Sequence, residues 1–130
     1  MTSRLAALSL DAADPDTLAR FWSAVLGWQE IERDDTGVSI GDPGGGLTMD
    51  LLLTYDPKAV KNRLHLDVRA DAGTTEQELA RLESLGAVRV DVGQPVDVSW
   101  TVLVDPEGNE FCLLSGTAQA AAAKPGSSPS

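Results

Sequence analysis

Two different spacings of apolar residues alternate along this chain of 130 residues. Between positions 14 and 26, apolar side chains recur every three or four residues, as on the buried face of an amphipathic helix. These residues are Leu18, Phe21, Trp22, Val25 and Leu26. Asp14-Pro15 is typical of a helix start and Gly27 of a left-handed C-cap. The pattern predicts a helix over 14–26 and assigns Trp22 to the core rather than to a ligand site.

Runs in which every second residue is apolar surround this helix and predict strands. In the first part of the chain they cover residues 4–11, 28–33, 38–41 and 47–55. The glycine-rich segment 42–46 joins the last two strands, and its composition predicts a loop.

The same order of elements recurs in the second part of the chain. A strand is predicted over 63–70 and a helix over 76–85, capped by Thr74 or Thr75. Three further strands are predicted at 87–92, 98–104 and 110–114, with a break at 93–95 and a tight turn at 105–109.

Two βαβββ halves, about 4–56 and 61–115, are therefore expected to pack as one domain over residues 4–115. The predicted fold class is α+β: tandem modules that form a cupped eight-stranded mixed sheet, with two helices on the outside. Residues 116–130 are rich in alanine, serine and proline, and are predicted to be a disordered tail.

The charge balance limits the partners. Ten basic and 20 acidic residues give a formal charge of -10, which disfavours nucleic acid and anionic membranes. The single cysteine excludes an internal disulfide and is typical of a reducing compartment. Neither a secretory leader nor a membrane-length apolar run is evident, so a cytoplasmic location is expected.

Candidate chemistry concentrates in the stretch 61–68, which contains the one histidine of the chain, His65. Alternation places Leu64, Leu66 and Val68 on the core side of the predicted strand. The opposite side carries Arg63, His65 and Asp67. Arg63 is expected either to pair with a nearby aspartate or to bind a carboxylate or phosphate of a ligand.

Four features in this order resemble the glyoxalase-like domain of the vicinal oxygen chelate superfamily. They are the double βαβββ order, the helix region from Asp14-Pro15 through Phe21-Trp22 to Leu26-Gly27-Trp28, the stretch 61–67, and the turn and strand 105–112. The resemblance implies a small-molecule site in a sheet-lined cleft. It does not imply one reaction, because the superfamily includes isomerases, ring-cleaving dioxygenases, epimerases, thiol transferases and drug-sequestering binders.

The resemblance also implies four strand positions for metal ligands in metal-dependent members. Here they fall on Ala7, on His65, on Cys112, and on either Asp50 or Leu52. Alanine cannot ligate, and a thiol replaces the usual carboxylate, so we expect a degenerate site without a metal cofactor. If a divalent metal binds, its ligands are His65, Cys112 and Asp50. Otherwise His65 is expected to be neutral and bonded to Asp67 or Asp50, and Cys112 to act as a small hydrophobe.

The predicted function is small-molecule binding. The predicted substrate-binding residues are Ala7, Ser9, Leu52, Arg63, His65, Trp100 and Cys112. One alternative is a divalent-metal-dependent lyase, isomerase or dioxygenase with His65 as ligand, or a metal-free enzyme with His65 as catalytic acid or base. The other is a bleomycin-resistance-type binder that sequesters a cationic drug, which the acidic charge favours. A homodimer is expected, because cupped sheets leave edge strands and an open cleft that a second copy can cover.

Overall fold

The computed structural model describes residues 1–90 and 100–117. The chain divides into two compact units, Met1–Ala59 and Val60–Ser130. Each unit has the order strand, helix, strand, strand, strand, and each has its own four-stranded mixed sheet. The predicted tandem βαβββ order is therefore confirmed. No helix in the described ranges combines the length and the apolarity needed to cross a membrane.

The first unit contains one helix and one sheet. Its elements are β1 (Ala7–Ala12), α1 (Pro15–Leu26), β2 (Gln29–Asp34), β3 (Gly37–Gly41) and β4 (Thr48–Leu53). The strand order across the sheet is β1-β4-β3-β2, in which β1 runs parallel to β4 and the other neighbours are antiparallel.

Helix α1 is fixed by local signals at both ends. The side chain of Asp14 accepts the backbone N–H of Thr17, and Pro15 occupies the first turn, where its missing N–H costs nothing. Gly27 closes the helix at φ 70° and ψ 28°, a left-handed conformation that glycine adopts without a Cβ penalty. The helix packs on β3 and β4. Trp22 is 1% exposed, with its ring edge-on to Phe21 at 5.1 Å, which confirms its assignment to the core.

The second unit repeats the arrangement. Its elements are β5 (Leu66–Ala70), α2 (Thr75–Ser84), β6 (Val88–Arg89), β7 (Trp100–Val104) and β8 (Glu110–Thr117). The strand order is β5-β8-β7-β6, with β5 parallel to β8. Thr74 and Gln77 form a capping box at the start of α2. The predicted break at 93–95, the inner ends of the strands on either side of it, and the tail from residue 118 lie outside the described residues.

Two strands begin three residues later than the alternation predicted. β1 starts at Ala7 rather than at residue 4, and β5 starts at Leu66 rather than at residue 63. Leu64 is 73% exposed, so the predicted core position of this residue is wrong. The backbone just before it is engaged elsewhere, because the N–H of Asn62 donates to the Glu110 carboxylate at 2.7 Å. Arg63 and His65 consequently precede the strand and do not share its pleat.

Each sheet has one face that carries its helix and one that does not; we call the second the helix-free face. In the first unit the helix side buries alternate residues of β3 and β4. They are Val38, Ile40, Met49 and Leu51. In the second unit α2 packs on β5 and β8, and Leu82, Leu103, Phe111 and Leu113 form the core. The residues between these point to the helix-free faces, because side chains alternate along a strand.

Candidate functional site

A row of polar residues crosses the helix-free face of the first sheet. Ser9 on β1 pairs with Asp50 on β4, Asp50 pairs with Ser39 on β3, and Ser39 pairs with Glu32 on β2. The hydroxyl of Ser39 donates to the Asp50 carboxylate at 2.6 Å in a partly buried position. One hydrogen bond leaves the carboxylate with acceptor capacity, since an ionised carboxylate has about four acceptor sites.

A cavity of about 190 Å³ opens over β2, β3 and β4 of this unit. Its lining residues are Glu32, Arg33, Asp34, Thr36, Gly37, Val38, Ser39, Asp50 and Leu52. Three of them are carboxylates and two are hydroxyls, so the cavity is predominantly polar and acidic. Of the predicted binding residues in this unit, Leu52 lines the cavity, whereas Ala7 and Ser9 lie on the same face outside it.

Two charged side chains of the cavity lining, Asp34 and Arg33, have hydrogen-bond or ion-pair partners nearby. Thr36 donates its hydroxyl to Asp34 at 2.6 Å and its backbone N–H at 2.8 Å, which keeps the pKa of Asp34 below its usual value. The carboxylate is therefore ionised throughout the neutral range. Arg33 is the one cationic lining residue, and its guanidinium pairs with Asp16 at 2.7 Å and with Glu30 at 2.8 Å. Since Asp16 and Glu30 do not line the cavity, Arg33 does not neutralise the charges of the carboxylates that do.

The helix-free face of the second sheet is more apolar. Asp67 on β5 pairs with Cys112 on β8, which pairs with Val102 on β7; the neighbouring row pairs Leu114 with Trp100. The Trp100 side chain is 39% exposed, so its indole ring offers open apolar surface on this face. Trp100 and Cys112, both predicted to bind a ligand, share this face.

The thiol of Cys112 is half-buried and faces a negative charge. Burial raises its pKa, and the charge of Asp67 together with a hydrogen bond to that residue raises it further. The thiol is therefore protonated at neutral pH and behaves as a weakly polar, small side chain rather than as a nucleophile.

Alkylation should report this environment. We expect iodoacetamide to modify Cys112 more slowly at pH 8 than it modifies N-acetylcysteine, because the raised pKa reduces the thiolate fraction. The Asp67→Asn variant should react faster than wild type, because the negative charge that raises the pKa of the thiol is removed. Equal rates for wild type and Asp67→Asn would contradict this description.

The raised pKa of the Cys112 thiol also makes the stability of the fold depend on pH. Its contribution is fully present below the ordinary thiol pKa and is lost as pH rises through the thiol pKa of the folded protein.

A hydrogen-bond network holds the segment before β5 to the turn between β7 and β8. The side-chain amide of Asn62 donates to the Asn109 side-chain oxygen at 3.1 Å. Asn109 in turn donates its side-chain and backbone N–H groups to Asp105, which is 2% exposed. Together with the bond from Asn62 to Glu110, these contacts give the turn 105–109 a structural role.

The two predicted site residues of this segment lie at the surface. His65 is exposed, and its Nε2 lies 2.8 Å from the Lys61 ammonium, which donates to the unprotonated ring nitrogen. The expected bond of His65 to Asp67 or Asp50 is therefore replaced by one to Lys61. Arg63 is exposed as well, and it forms no ion pair with any residue in the described ranges.

The donors at the four implied ligand positions do not fit a resident metal ion. Ala7 has no side-chain donor atom, and the other positions combine an imidazole, a thiol and either the Asp50 carboxylate or the apolar Leu52, which is a mixed and incomplete set. Across residues 1–90 and 100–117, no group of three or more His, Cys, Asp or Glu side chains is placed to hold a metal. The superfamily's metal chemistry therefore has no matching set of ligands in this part of the chain.

Three residues of these faces were missed from the sequence. Glu32 and Ser39 enter the site only through the register of β2, β3 and β4, which alternation within one strand does not reveal. Arg69 was also missed; its Nε atom is buried and has no hydrogen-bond partner among the described residues. The signal that could have found it is the alternation of β5, which places Arg69 with Asp67.

The family follows from the sequence as a whole. The model of the glyoxalase-like domain matches residues 7–114, which is most of the chain. This chain belongs to the glyoxalase-like domain family. The recognition of that family from four sequence features is therefore confirmed. No curated protein matches this glyoxalase-like chain.

Solved structures of the wider superfamily share the fold of this glyoxalase-like protein. A glyoxalase/bleomycin resistance protein/dioxygenase family enzyme from Burkholderia phytofirmans PsJN has a TM-score of 0.66 at 20% identity, over 85% of this chain and 97% of that one. The fosfomycin resistance protein FosX from Listeria monocytogenes, as a variant complexed with Mn(II) and 1S,2S-dihydroxypropylphosphonic acid, has a TM-score of 0.65 at 18% identity, over 92% and 94%. TnmS3, an antibiotic binding protein from Streptomyces sp. CB03234, has a TM-score of 0.60 at 18% identity, over 87% and 95%.

Proposed function

We propose that this glyoxalase-like protein binds a small organic molecule on the helix-free face of a sheet. Structures with its fold include TnmS3, described as an antibiotic binding protein, and FosX, described as a fosfomycin resistance protein. The observation that carries the proposal is the cavity on the first sheet, which is lined by the partly buried Ser39–Asp50 pair together with Leu52. Fixed polar groups in such a cavity orient a small molecule.

The size of the cavity indicates how much of a ligand it receives. Pockets that enclose a drug-sized ligand measure roughly 300–1,000 Å³. At about 190 Å³, this cavity is too small for such a molecule and accommodates one substituent of it. The rest of the ligand lies outside the cavity, on surface that the neighbouring Ala7 and Ser9 share.

The chemistry of the cavity favours a cationic substituent. Glu32, Asp34 and Asp50 line it, and the one lining arginine is paired elsewhere. An amine or amidine would gain charge-assisted hydrogen bonds there, whereas an anion would meet uncompensated carboxylates. This supports the drug-sequestering alternative, in which the net charge of -10 also attracts a cation.

The metal-dependent lyase, isomerase or dioxygenase alternative is less well supported. Its proposed ligands would be His65, Cys112 and Asp50, yet no group of three or more such side chains is placed to hold a metal within the described ranges. A catalytic role of His65 without metal also lacks support, because its ring is exposed and bonded to Lys61. Binding without chemistry is the function that these side chains serve best.

A thermal-shift screen with paired variants tests the proposal. We expect some amine-bearing compounds of a metabolite and antibiotic library to stabilise wild type, by about 2.7 kcal/mol at 100 times the dissociation constant. Asp50→Asn should lose the stabilisation, because it removes the charge of the partly buried carboxylate among the three that line the cavity. Asp35→Asn is the matched control: it makes the same charge change on an exposed residue that does not line the cavity. A screen without stabilisers, or stabilisers that act equally on Asp50→Asn, would refute the proposal.

We also propose the homodimer and the cytoplasmic location expected from the sequence. Strand β2 forms an edge of its sheet, all its residues are exposed, and Ile31 on it is 55% exposed. Such an edge is suited to pairing with a second copy. Light scattering at several protein concentrations would show a dimer mass if the proposal is right and a monomer mass at every concentration if it is wrong.

A further inference from the structure

The helix-free face of the second sheet contains a hydrogen-bond donor without an acceptor. The Nε atom of Arg69 is buried, and no described residue accepts its proton. Buried polar groups in proteins are nearly always bonded, so such an atom requires an explanation. For arginine the requirement is stronger, because its guanidinium keeps its charge at every physiological pH.

Arg69 lies on β5, and its side chain points to the helix-free face of the second sheet. Ala70 beside it is buried on the side of the sheet that α2 covers, so alternation directs Arg69 to the helix-free face together with Asp67. Among the described residues, Asp67 forms no ion pair with the Arg69 guanidinium. Its carboxylate interacts instead with the Cys112 thiol.

The neighbouring strand is irregular at this point. Val68 pairs with Leu113 and Ala70 pairs with Thr117, so one residue of β5, Arg69, faces three residues of β8. Such a bulge interrupts the ladder of backbone hydrogen bonds and redirects side chains, and bulges are frequent beside binding sites. A backbone disruption and an unpaired donor therefore coincide at the same residue.

Apolar surface lies next to the donor along the same face. Asp67 on β5 pairs with Cys112 on β8. Two residues further along these strands come Arg69 and Leu114, and Leu114 pairs with Trp100 on β7. An indole ring that is 39% exposed provides a flat surface for the body of a ligand.

We propose that Arg69 binds a carboxylate of a ligand whose flat apolar part lies against Trp100. A planar carboxylate presents two acceptor oxygens that match the donors of a guanidinium. This inference rests on the proposed small-molecule function and adds a second recognition element to it. It concerns the second unit alone and assigns to it a carboxylate, whose charge is opposite to that of the group proposed for the first unit's cavity.

Nuclear magnetic resonance titration with two matched probes tests the inference. Indole-3-acetate carries a carboxylate, and indole-3-acetamide replaces it with a neutral amide of nearly the same shape. We expect wild type to bind the acetate about tenfold more tightly than the amide (about 1.4 kcal/mol), because a charged acceptor strengthens the hydrogen bond. Arg69→Met should remove this preference, and Arg69→Lys should retain part of it, because the charge is kept and the forked geometry is lost.

The stability of the ligand-free variants separates a binding role from a structural one. If Arg69 serves a ligand, Arg69→Met should unfold at the same or a higher temperature than wild type, because an unsatisfied buried donor is replaced by an apolar side chain of similar size. A structural arginine would instead give a lower melting temperature and an unchanged preference. That result would overturn the inference.

The remaining outcomes also have defined meanings. The inference is overturned if wild type binds both indoles equally or binds neither, or if Arg69→Met keeps the preference. Equal binding of both indoles that Trp100→Ala abolishes would leave the proposed function intact and remove only the role of Arg69. Failure of the proposed function has a different signature, namely a library screen in which wild type has no stabilising ligand.

Discussion

Replacement of Trp22 with alanine is expected to lower the free energy of unfolding of the first unit by roughly 4 kcal/mol. Trp22 is among the largest fully buried side chains of the described core, at 1% exposure. Its loss removes apolar area, leaves a cavity and breaks the edge-on contact with Phe21. The measurement is urea unfolding followed by far-ultraviolet circular dichroism, which does not depend on tryptophan fluorescence.

Trp100→Ala is the matched control for this prediction, since it deletes the same side chain from the surface. With 39% of Trp100 exposed, its removal should cost roughly 1 kcal/mol. Binding of indole-3-acetate should respond in the opposite order, strongly to Trp100→Ala and weakly to Trp22→Ala at temperatures where the latter is folded. A cost below roughly 1.5 kcal/mol for Trp22→Ala would place this residue outside the core.

Replacement of Gly37 with alanine is expected to lower the free energy of unfolding of the same unit by roughly 3 kcal/mol. Gly37 lies on β3 and lines the cavity, and a Cβ atom at this position would collide with the backbone carbonyl oxygen of Leu51. A backbone atom in a paired strand cannot turn aside as a flexible side chain would. The strands must separate locally, which also disturbs the Ser39–Asp50 pair that the register holds together.

Gly44→Ala makes the same chemical change in the loop between β3 and β4 and serves as the control. The nearest atom to its added Cβ is a side-chain oxygen of Asp42 at 3.4 Å, which is close to ordinary contact. We expect a change below roughly 0.5 kcal/mol there. Comparable effects at Gly37 and Gly44, measured by chemical denaturation, would show that β3 and β4 do not approach as closely as described.

The accuracy of the sequence predictions depended on how local the determining contacts are. Helix α1 was predicted almost to the residue because Asp14, Pro15 and Gly27 act within one turn of the elements they limit. The start of β5 was wrong because contacts distant in sequence decide it. Asn62 bonds to Glu110 and Asn109, 48 and 47 residues away, and the alternation from Leu64 onward does not reveal those bonds.

The same reasoning applies to the candidate site. Ala7, Ser9, Leu52 and Cys112 were placed on a face by alternation and by resemblance to the family, and the register puts them on helix-free faces. Ser39 and Glu32 required knowledge of which strands are neighbours. Alternation could have placed Arg69 beside Asp67, but it could not have shown why Arg69 matters. The buried Nε atom without a hydrogen-bond partner among the described residues is visible only in the coordinates.

The two units carry different chemistry. The first offers a small acidic cavity with a partly buried Ser39–Asp50 pair, and the second offers an indole surface on the same face as Arg69, whose buried Nε atom has no hydrogen-bond partner among the described residues. Neither of the two proposed interactions requires a metal or a reactive side chain. The protonated state of Cys112 agrees with this assignment to binding.

The central claim is that a small molecule binds on the helix-free face of the first sheet, with Asp50 as its polar contact. The most direct test is a two-dimensional ¹H–¹⁵N titration of the labelled protein with the strongest stabiliser from the library screen. We predict that the largest shifts occur at the amides of Glu32, Ser39 and Asp50 and disappear in Asp50→Asn but not in Asp35→Asn. Shifts confined to α1 and α2, or an unchanged pattern in Asp50→Asn, would contradict the claim.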